Sequence, residues 1–224
     1  MNGVNHRVRD ETPFNAESTH SIVVDCYSET RVILYMPTPS TSVRMSQSRV
    51  TQLAESVSDR DHTQGPADAP VTLVMYGDYE CPYCQEAFRA VKQLREDETV
   101  TERTRFVFRN FPLTSVHPHA QQAAEAAEAA AAQGQFWEMH DMLYEHQNAL
   151  ELDDLQEYAE QLGLDGEYLV QELEQGAFTE RVQEDLLSGA RSGVNGTPTF
   201  FINGERYDEQ WDPDALRAAL EDAA

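Results

Sequence analysis

Val71-Thr72-Leu73-Val74-Met75-Tyr76-Gly77-Asp78-Tyr79-Glu80-Cys81-Pro82-Tyr83-Cys84 is the stretch on which the fold turns. Val71–Tyr76 is a short apolar, β-rich run of the kind a buried strand requires. Gly77-Asp78-Tyr79-Glu80 turns the chain, and Cys81 follows. Pro82 suits the first turn of a helix, where its missing N–H removes no internal bond. Phe88, Val91 and Leu94 then recur at helical spacing. Arg105–Phe111 reads as a second strand closed by Pro112, so the order strand, motif, helix, strand predicts a βαβ unit.

Downstream, Pro118 opens a run of alanines and glutamates, Ala120 to Ala132, with strong helix propensity. Phe136, His140 and Leu143, with Trp137 and Tyr144 alongside, form an apolar stripe on the next helix. This stripe reads as core of a helical insert, not as a ligand box. Leu152–Leu162 follows with Gly163 as its C-cap, and Tyr168–Leu173 and Val182–Leu187 continue helically. Residues 113–192 therefore predict an all-helical insert. The chain returns to β at Thr199–Ile202, turns at Asn203-Gly204, a strong hairpin signal, and pairs back through Arg206-Tyr207. Asp212 caps a last helix with Pro213 at its first position and Leu216 and Leu220 facing inward.

Residues 1–65 differ. Ser, Thr, Asn and Gln are frequent, and the one pattern is a hairpin of Ile22–Tyr27 and Arg31–Met36 across Ser28-Glu29-Thr30. The expectation is an N-terminal tail, either flexible or a mis-assigned start with the true one at Met45, followed by a domain over 66–224. Nothing near Cys26 matches a cysteine motif, which leaves it an unpaired thiol.

The 224-residue chain carries 16 Lys+Arg against 40 Asp+Glu, a formal net charge of −24. Nucleic acid and anionic membrane surfaces reward basic patches and are excluded as partners. No run of 18 apolar residues exists, so no membrane insertion is expected. Residues 1–49 hold five basic and five acidic residues, so the whole −24 lies in 50–224. Among the 16 basic residues only Lys92 is a lysine. An acidic, lysine-poor surface fits a salt-rich cytoplasm, because molar salt shortens the Debye length to about 3 Å and screens self-repulsion. The competing reading is an acidic face for a basic partner, but the acids are scattered along many segments. With no apolar stretch behind the arginines of Met1–Glu11, no secretory leader is visible and a cytoplasmic location is expected.

Cys81-x-x-Cys84 has three meanings. A zinc site needs two more ligands at a partner spacing, and there is no second pair. His117 and His119, one residue apart in a Pro-containing loop, are poor ligand geometry. A structural disulfide closing so short a loop removes little unfolded-state entropy. The redox reading needs a strand leading into a helix whose first turn holds both sulfurs, and that context is present. Cys81 at the helix N-terminus meets free backbone N–H groups and the positive end of the macrodipole, which favours its thiolate. Cys84 would resolve the mixed disulfide that Cys81 forms. Asp78, Glu80 and Glu86 crowd the same turn with opposing negative charge, so a moderately depressed Cys81 pKa is expected. A second piece is Gly196-Thr197-Pro198-Thr199. If Thr197–Pro198 is cis, it offers a kink and a free backbone edge that can bind an extended peptide. Tyr83, between the cysteines, is expected to be exposed and to brush substrate.

Together these motifs resemble the DsbA-like thioredoxin-fold disulfide oxidoreductases. Asp68–Val74 with Tyr79-Glu80-Cys81-Pro82-Tyr83-Cys84 resembles that family's first core strand and active site. Phe106–Leu113 followed by His117-Pro118 and the alanine helix, and Gly193–Phe201, resemble its later motifs in order and spacing. Over residues 66–224 the resemblance implies an α/β thioredoxin fold with an all-helical insertion. It implies Cys81 as nucleophile, Cys84 as resolving thiol and redox-active partner, and Thr197, Pro198, Pro82 and Tyr83 against substrate. The implied partners are protein or peptide thiols and disulfides plus a redox partner, with no metal and no cofactor. In many relatives a buried acid stands six residues before the first cysteine; here that position is Met75, which leaves Asp78, Glu80 or a water to handle the proton of Cys84. A related branch, the kappa-type glutathione transferases, usually has serine where this chain has Cys81. The alternatives to exchange are a non-catalytic peptide-binding module and a glutathione-dependent transferase or isomerase.

Overall fold

A computed structural model describes residues 51–224. Five strands form one mixed sheet: β1 (His62–Gln64), β2 (Val71–Gly77), β3 (Thr104–Asn110), β4 (Thr199–Ile202) and β5 (Glu205–Tyr207), in the order β1-β3-β2-β4-β5. β2 and β3 are parallel, with Val71 opposite Thr104 and Gly77 opposite Asn110. α1 (Pro82–Leu94) and the short α2 (Glu98–Thr101) make the crossover between them. β4 runs antiparallel to β2, with Phe200 opposite Met75, and β5 returns along β4 through Asn203-Gly204, whose φ angles are 50° and 84°.

β2 is central and buried on both faces, which is why it reads as an unbroken apolar run. Period-two alternation still divides its side chains. Val71, Leu73 and Met75 join α1, the last helix α8 (Pro213–Asp222) and the helical insert in the larger core. Val74 and Tyr76 join Val107, Phe111, Val194 and Phe201 in a smaller core on the other face. The insert between β3 and β4 is all-helical as expected: α3 (Ala120–Ala132), α4 (Phe136–Glu145), α5 (Leu152–Gln161), α6 (Gly166–Gln175) and α7 (Thr179–Arg191). Ala123, Ala126, Ala127, Ala129 and Ala130 are fully buried on α3, and their small side chains let neighbouring helices approach closely. Phe136, His140, Leu143 and Tyr144 are core residues, with Trp137 packed against them.

The boundary expected at residue 66 lies too late. β1 pairs antiparallel with β3, His62 opposite Phe108. Upstream, Leu53 and Val57 pack on the smaller core, and Gln52 bridges to Glu205. Segment 51–65 is therefore part of the domain. It is held by a buried ion pair, Arg109 Nε to Asp61 Oδ1 at 2.7 Å, and by the His62 ring stacked at 3.5 Å on Phe136. None of these contacts leaves an apolar period to read. The hairpin expected at 22–36, Cys26 and the Met45 start lie outside the described residues.

Candidate active site

The parallel pairing of β2 and β3 delivers two loops to one end of the sheet: Asp78–Cys81 after β2, and Phe111–His119 after β3. The strand ends are stitched by the Phe111 N–H donating to the Gly77 carbonyl at 2.8 Å. Cys81 is the N-cap of α1 and Pro82 its first residue. Cys81 and Cys84 are both buried free thiols. Pro82 and Tyr83, between them, are exposed, Tyr83 by 63%.

The two sulfurs have opposite electrostatics. The Cys81 pKa is lowered to about 6, first by a hydrogen bond from the Cys84 thiol, against the cost of burial, and further by Thr197 and the backbone N–H groups of Cys84 and Tyr83. These N–H groups belong to the first helical turn, whose backbone donors point toward the N-cap. Cys84 is pushed well above the ordinary thiol value by burial first, then by donating to Cys81. The Asp78 backbone N–H points to Cys84 Sγ at 3.4 Å. A depressed thiol beside an elevated one can open a disulfide and then close it again.

Opposite the sulfurs stands the Thr197–Pro198 peptide bond, which is cis. The Cys81 thiol reaches the Thr197 carbonyl at 3.5 Å. The Thr197 hydroxyl is buried without a well-aligned partner, yet close enough to lower both thiol pKa values. The structure thus brings Cys81, Cys84, Thr197, Pro198, Pro82 and Tyr83 to one place, with Thr197 and Pro198 half-buried.

Several residues around the motif carry no local signature. Gln147, after α4, donates from Nε2 to the carbonyls of Tyr79 at 2.8 Å and Cys81 at 2.7 Å, tying the insert to the cysteine turn. Gln85 donates to the Tyr144 carbonyl at 2.6 Å. Met75 is buried as the strand pattern requires, and no proton chemistry is open to it. Asp78, by contrast, is buried and fully engaged: Oδ1 accepts from the Glu80 N–H, and Oδ2 from the Leu113 N–H at 2.7 Å and His117 Nδ1 at 2.8 Å. Glu80 is spent on the His119 N–H at 2.7 Å. Both acids expected to crowd Cys81 therefore have partners of their own, while Glu86 points to solvent.

Comparison with known proteins agrees with the fold that carries this site. A family model described as Thioredoxin matches residues 57–222. Among solved structures, oxidised BdbD from Bacillus subtilis superimposes with a TM-score of 0.70 at 23% identity, covering 77% of this chain and 97% of that one. A thioredoxin-like oxidoreductase from Silicibacter pomeroyi gives 0.65 at 26% identity, covering 74% and 93%. The thiol-disulfide exchange protein α-DsbA2 from Wolbachia pipientis gives 0.62 at 18% identity, covering 73% and 87%. In sequence, the chain is 51% identical over 162 residues to a Na(+)/H(+) antiporter NhaA 3 of Salinispora tropica, covering 72% of this chain but 24% of that protein. It is 43% identical over 168 residues to NhaA 1 of Mycobacterium sp. strain KMS, covering 27% of it. The chain thus spans about a quarter of the length of the curated relatives it matches. With the family model spanning most of the described residues and the DsbA-like structures sharing the fold, the chain belongs to the thioredoxin family.

Proposed function

We propose that this domain is a thiol–disulfide oxidoreductase that exchanges disulfides with protein or peptide thiols through Cys81-Pro82-Tyr83-Cys84. The observation that carries the reading is the pair of opposite thiol pKa shifts, about 6 for Cys81 and well above the ordinary value for Cys84, beside the Thr197 carbonyl. In the reducing direction the Cys81 thiolate attacks a substrate disulfide, forming a Cys81–substrate mixed disulfide and expelling one substrate thiolate. Cys84 loses its proton, attacks Cys81 and releases the second substrate sulfur, leaving a Cys81–Cys84 disulfide and two substrate thiols. The oxidising direction is the reverse, and the compartment's redox poise selects between them.

Substrate peptide lies along Thr197-Pro198, with Pro82 and the exposed Tyr83 ring on its other side. The opening left by this exposed rim supports an extended chain over a buried small molecule. A separate redox partner resets the dithiol state. The antiporter activity in the relatives' names is not carried over to this segment: no helix among the described residues is long and apolar enough to cross a membrane.

The test is an insulin-reduction or scrambled-ribonuclease assay. Cys81→Ser should abolish turnover, and Cys84→Ser should accumulate mixed disulfides. Turnover by the double variant equal to that of the parent protein would remove the reading.

A further inference from the structure

His117 is not consumed by the exchange mechanism, yet it is the most elaborately held titratable group near the sulfurs. Its Nδ1 lies 2.8 Å from Asp78 Oδ2, and the Asp78 side chain is completely buried while the His117 side chain is 18% exposed. Asp78 is itself fixed by the Leu113 and Glu80 N–H groups, so its carboxylate cannot turn away. A carboxylate on Nδ1 keeps the proton there and leaves Nε2 as the site that gains and loses one. Among the described residues Nε2 has no hydrogen-bond partner. The ring lines an open cleft of about 450 Å³ shared with Pro82, Glu80, His119, Gln147 and Glu151. Two of the cleft's walls, Glu80 and Pro82, are the chain neighbours of Cys81, and the Cys81 thiolate is among the charges acting on the ring.

The geometry points to His117, oriented by Asp78, as the acid–base group that protonates and deprotonates the substrate's sulfur during exchange at Cys81. The inference rests on the oxidoreductase reading above. Burial by itself would lower the His117 pKa, but the hydrogen bond and charge of Asp78, with the charges of Cys81 and Glu80, outweigh it and raise the pKa overall. The groups facing the ring are Asp78, Glu80 and Cys81 from the turn before α1, His119 from its own loop and Glu151 at the start of α5. All but His119 favour its charged form. The charged ring and the Cys81 thiolate therefore stabilise one another.

The step balances. Cys81 thiolate attacks R–S–S–R′, the Cys81–S–R bond forms, the S–S bond breaks, and R′–S⁻ leaves. His117 imidazolium gives its Nε2 proton to R′–S⁻, yielding R′–SH and neutral imidazole. The second product thiol takes the proton that Cys84 carried. Two protons and two electrons pass to substrate, and the oxidised protein keeps a neutral His117. In reverse, neutral His117 accepts the proton of an incoming thiol.

The test compares two substrates in single-turnover reactions of the pre-reduced protein. Bis(hydroxyethyl) disulfide expels a basic alkyl thiolate that needs a proton; dithiobis(nitrobenzoate) expels a weakly basic aryl thiolate that does not. His117→Asn, which retains an N–H for Asp78 but no titrating nitrogen, should lower the alkyl-to-aryl rate ratio by about 10²-fold. His117→Gln should do the same, and in both variants the alkaline decline of the alkyl rate should vanish. An unchanged ratio in two folded variants overturns the inference, whether the two rates are untouched or fall together. Parent protein inert toward both disulfides would instead sink the oxidoreductase reading, a result distinct from the loss of the acid–base role.

Discussion

Arg109 on β3, the strand between β1 and the central β2, grips Asp61, which lies ahead of the first strand, through two hydrogen bonds: Nε to Oδ1 at 2.7 Å and Nη2 to Oδ2 at 3.1 Å. Both side chains are almost wholly buried, at 4% and 5% exposure. The remaining guanidinium donors go to the Glu55 and Ser56 carbonyls and the Tyr76 hydroxyl. One residue thus fastens segment 55–61 to the sheet. Asp61→Ala leaves that cation buried without its counter-charge and should cost about 3 kcal/mol, whereas Asp61→Leu with Arg109→Met should cost less than the single change. Urea unfolding of the three proteins measures both. Burial alone would raise the Asp61 pKa, but hydrogen bonds from Arg109 and the Ser58 N–H bring it below the ordinary value. The pair's contribution is therefore complete above the unfolded carboxylate pKa and is lost as pH falls through the lower folded value.

The dithiol should be more stable than the disulfide form, by an amount that depends on pH. The folded Cys81 pKa of about 6 lies below that of a free thiol, so its contribution is complete above the unfolded value and is lost as pH falls through about 6. Cys84, with its raised pKa, opposes this only above the pH at which the unfolded thiol ionises. The disulfide form has neither group. The stability gap between reduced and oxidised protein should widen by about 1–2 kcal/mol between roughly pH 5 and pH 8, screening by water having been allowed for. Chemical denaturation of both forms across that range is the measurement, and a flat gap would contradict it. The same asymmetry makes the couple more oxidising than an unperturbed dithiol.

How far this molecule can be read from its residues depends on the range of each contact. β2, α1, β3 and β4 are legible because each carries its own apolar pattern, and Cys81-Pro82-Tyr83-Cys84 and Thr197-Pro198 are legible as contiguous motifs. β1 is not: His62-Thr63-Gln64 is a half-buried polar edge whose pairing is dictated by Phe106–Phe108 across the ladder. The same holds for Asp78 and His117, 39 residues apart, which meet because parallel strands end side by side. Gln147 lies 66 residues from the Cys81 carbonyl it caps. Such polar partners have no periodicity; the chain path alone defines them.

Gln147→Ala removes both hydrogen bonds that tie the insert to the turn carrying the cysteines. The carbonyls of Tyr79 and Cys81 can recover water only in part, because Tyr79 and Cys81 are buried. The expected loss is about 1–2 kcal/mol in global stability. More diagnostic is the local effect. Amide exchange at Tyr79–Cys84 should accelerate while the strands β2 and β3 keep their protection. Uniform acceleration through the sheet would mean that Gln147 supports the whole domain and not the turn.

A charge of −24 on 224 residues, with Lys92 the single lysine, predicts a protein that dilute buffer weakens. Lys92 is already divided between Asp141 at 2.9 Å and Glu145 at 2.7 Å, so it relieves little of the surrounding repulsion. At molar KCl the Debye length falls to about 3 Å, and repulsion between exposed carboxylates on neighbouring helices is screened out. Short buried contacts, such as Arg109 with Asp61, are screened much less. The unfolding midpoint should therefore rise on going from dilute buffer to about 1 M KCl. Asp61→Ala and the parent protein should rise in parallel, because salt acts on the surface and leaves the buried pair intact. Thermal melts of both proteins across a KCl series decide the point. A midpoint that falls with salt would place the dominant electrostatics in attractive ion pairs such as Arg191–Glu55 and Arg217–Asp97.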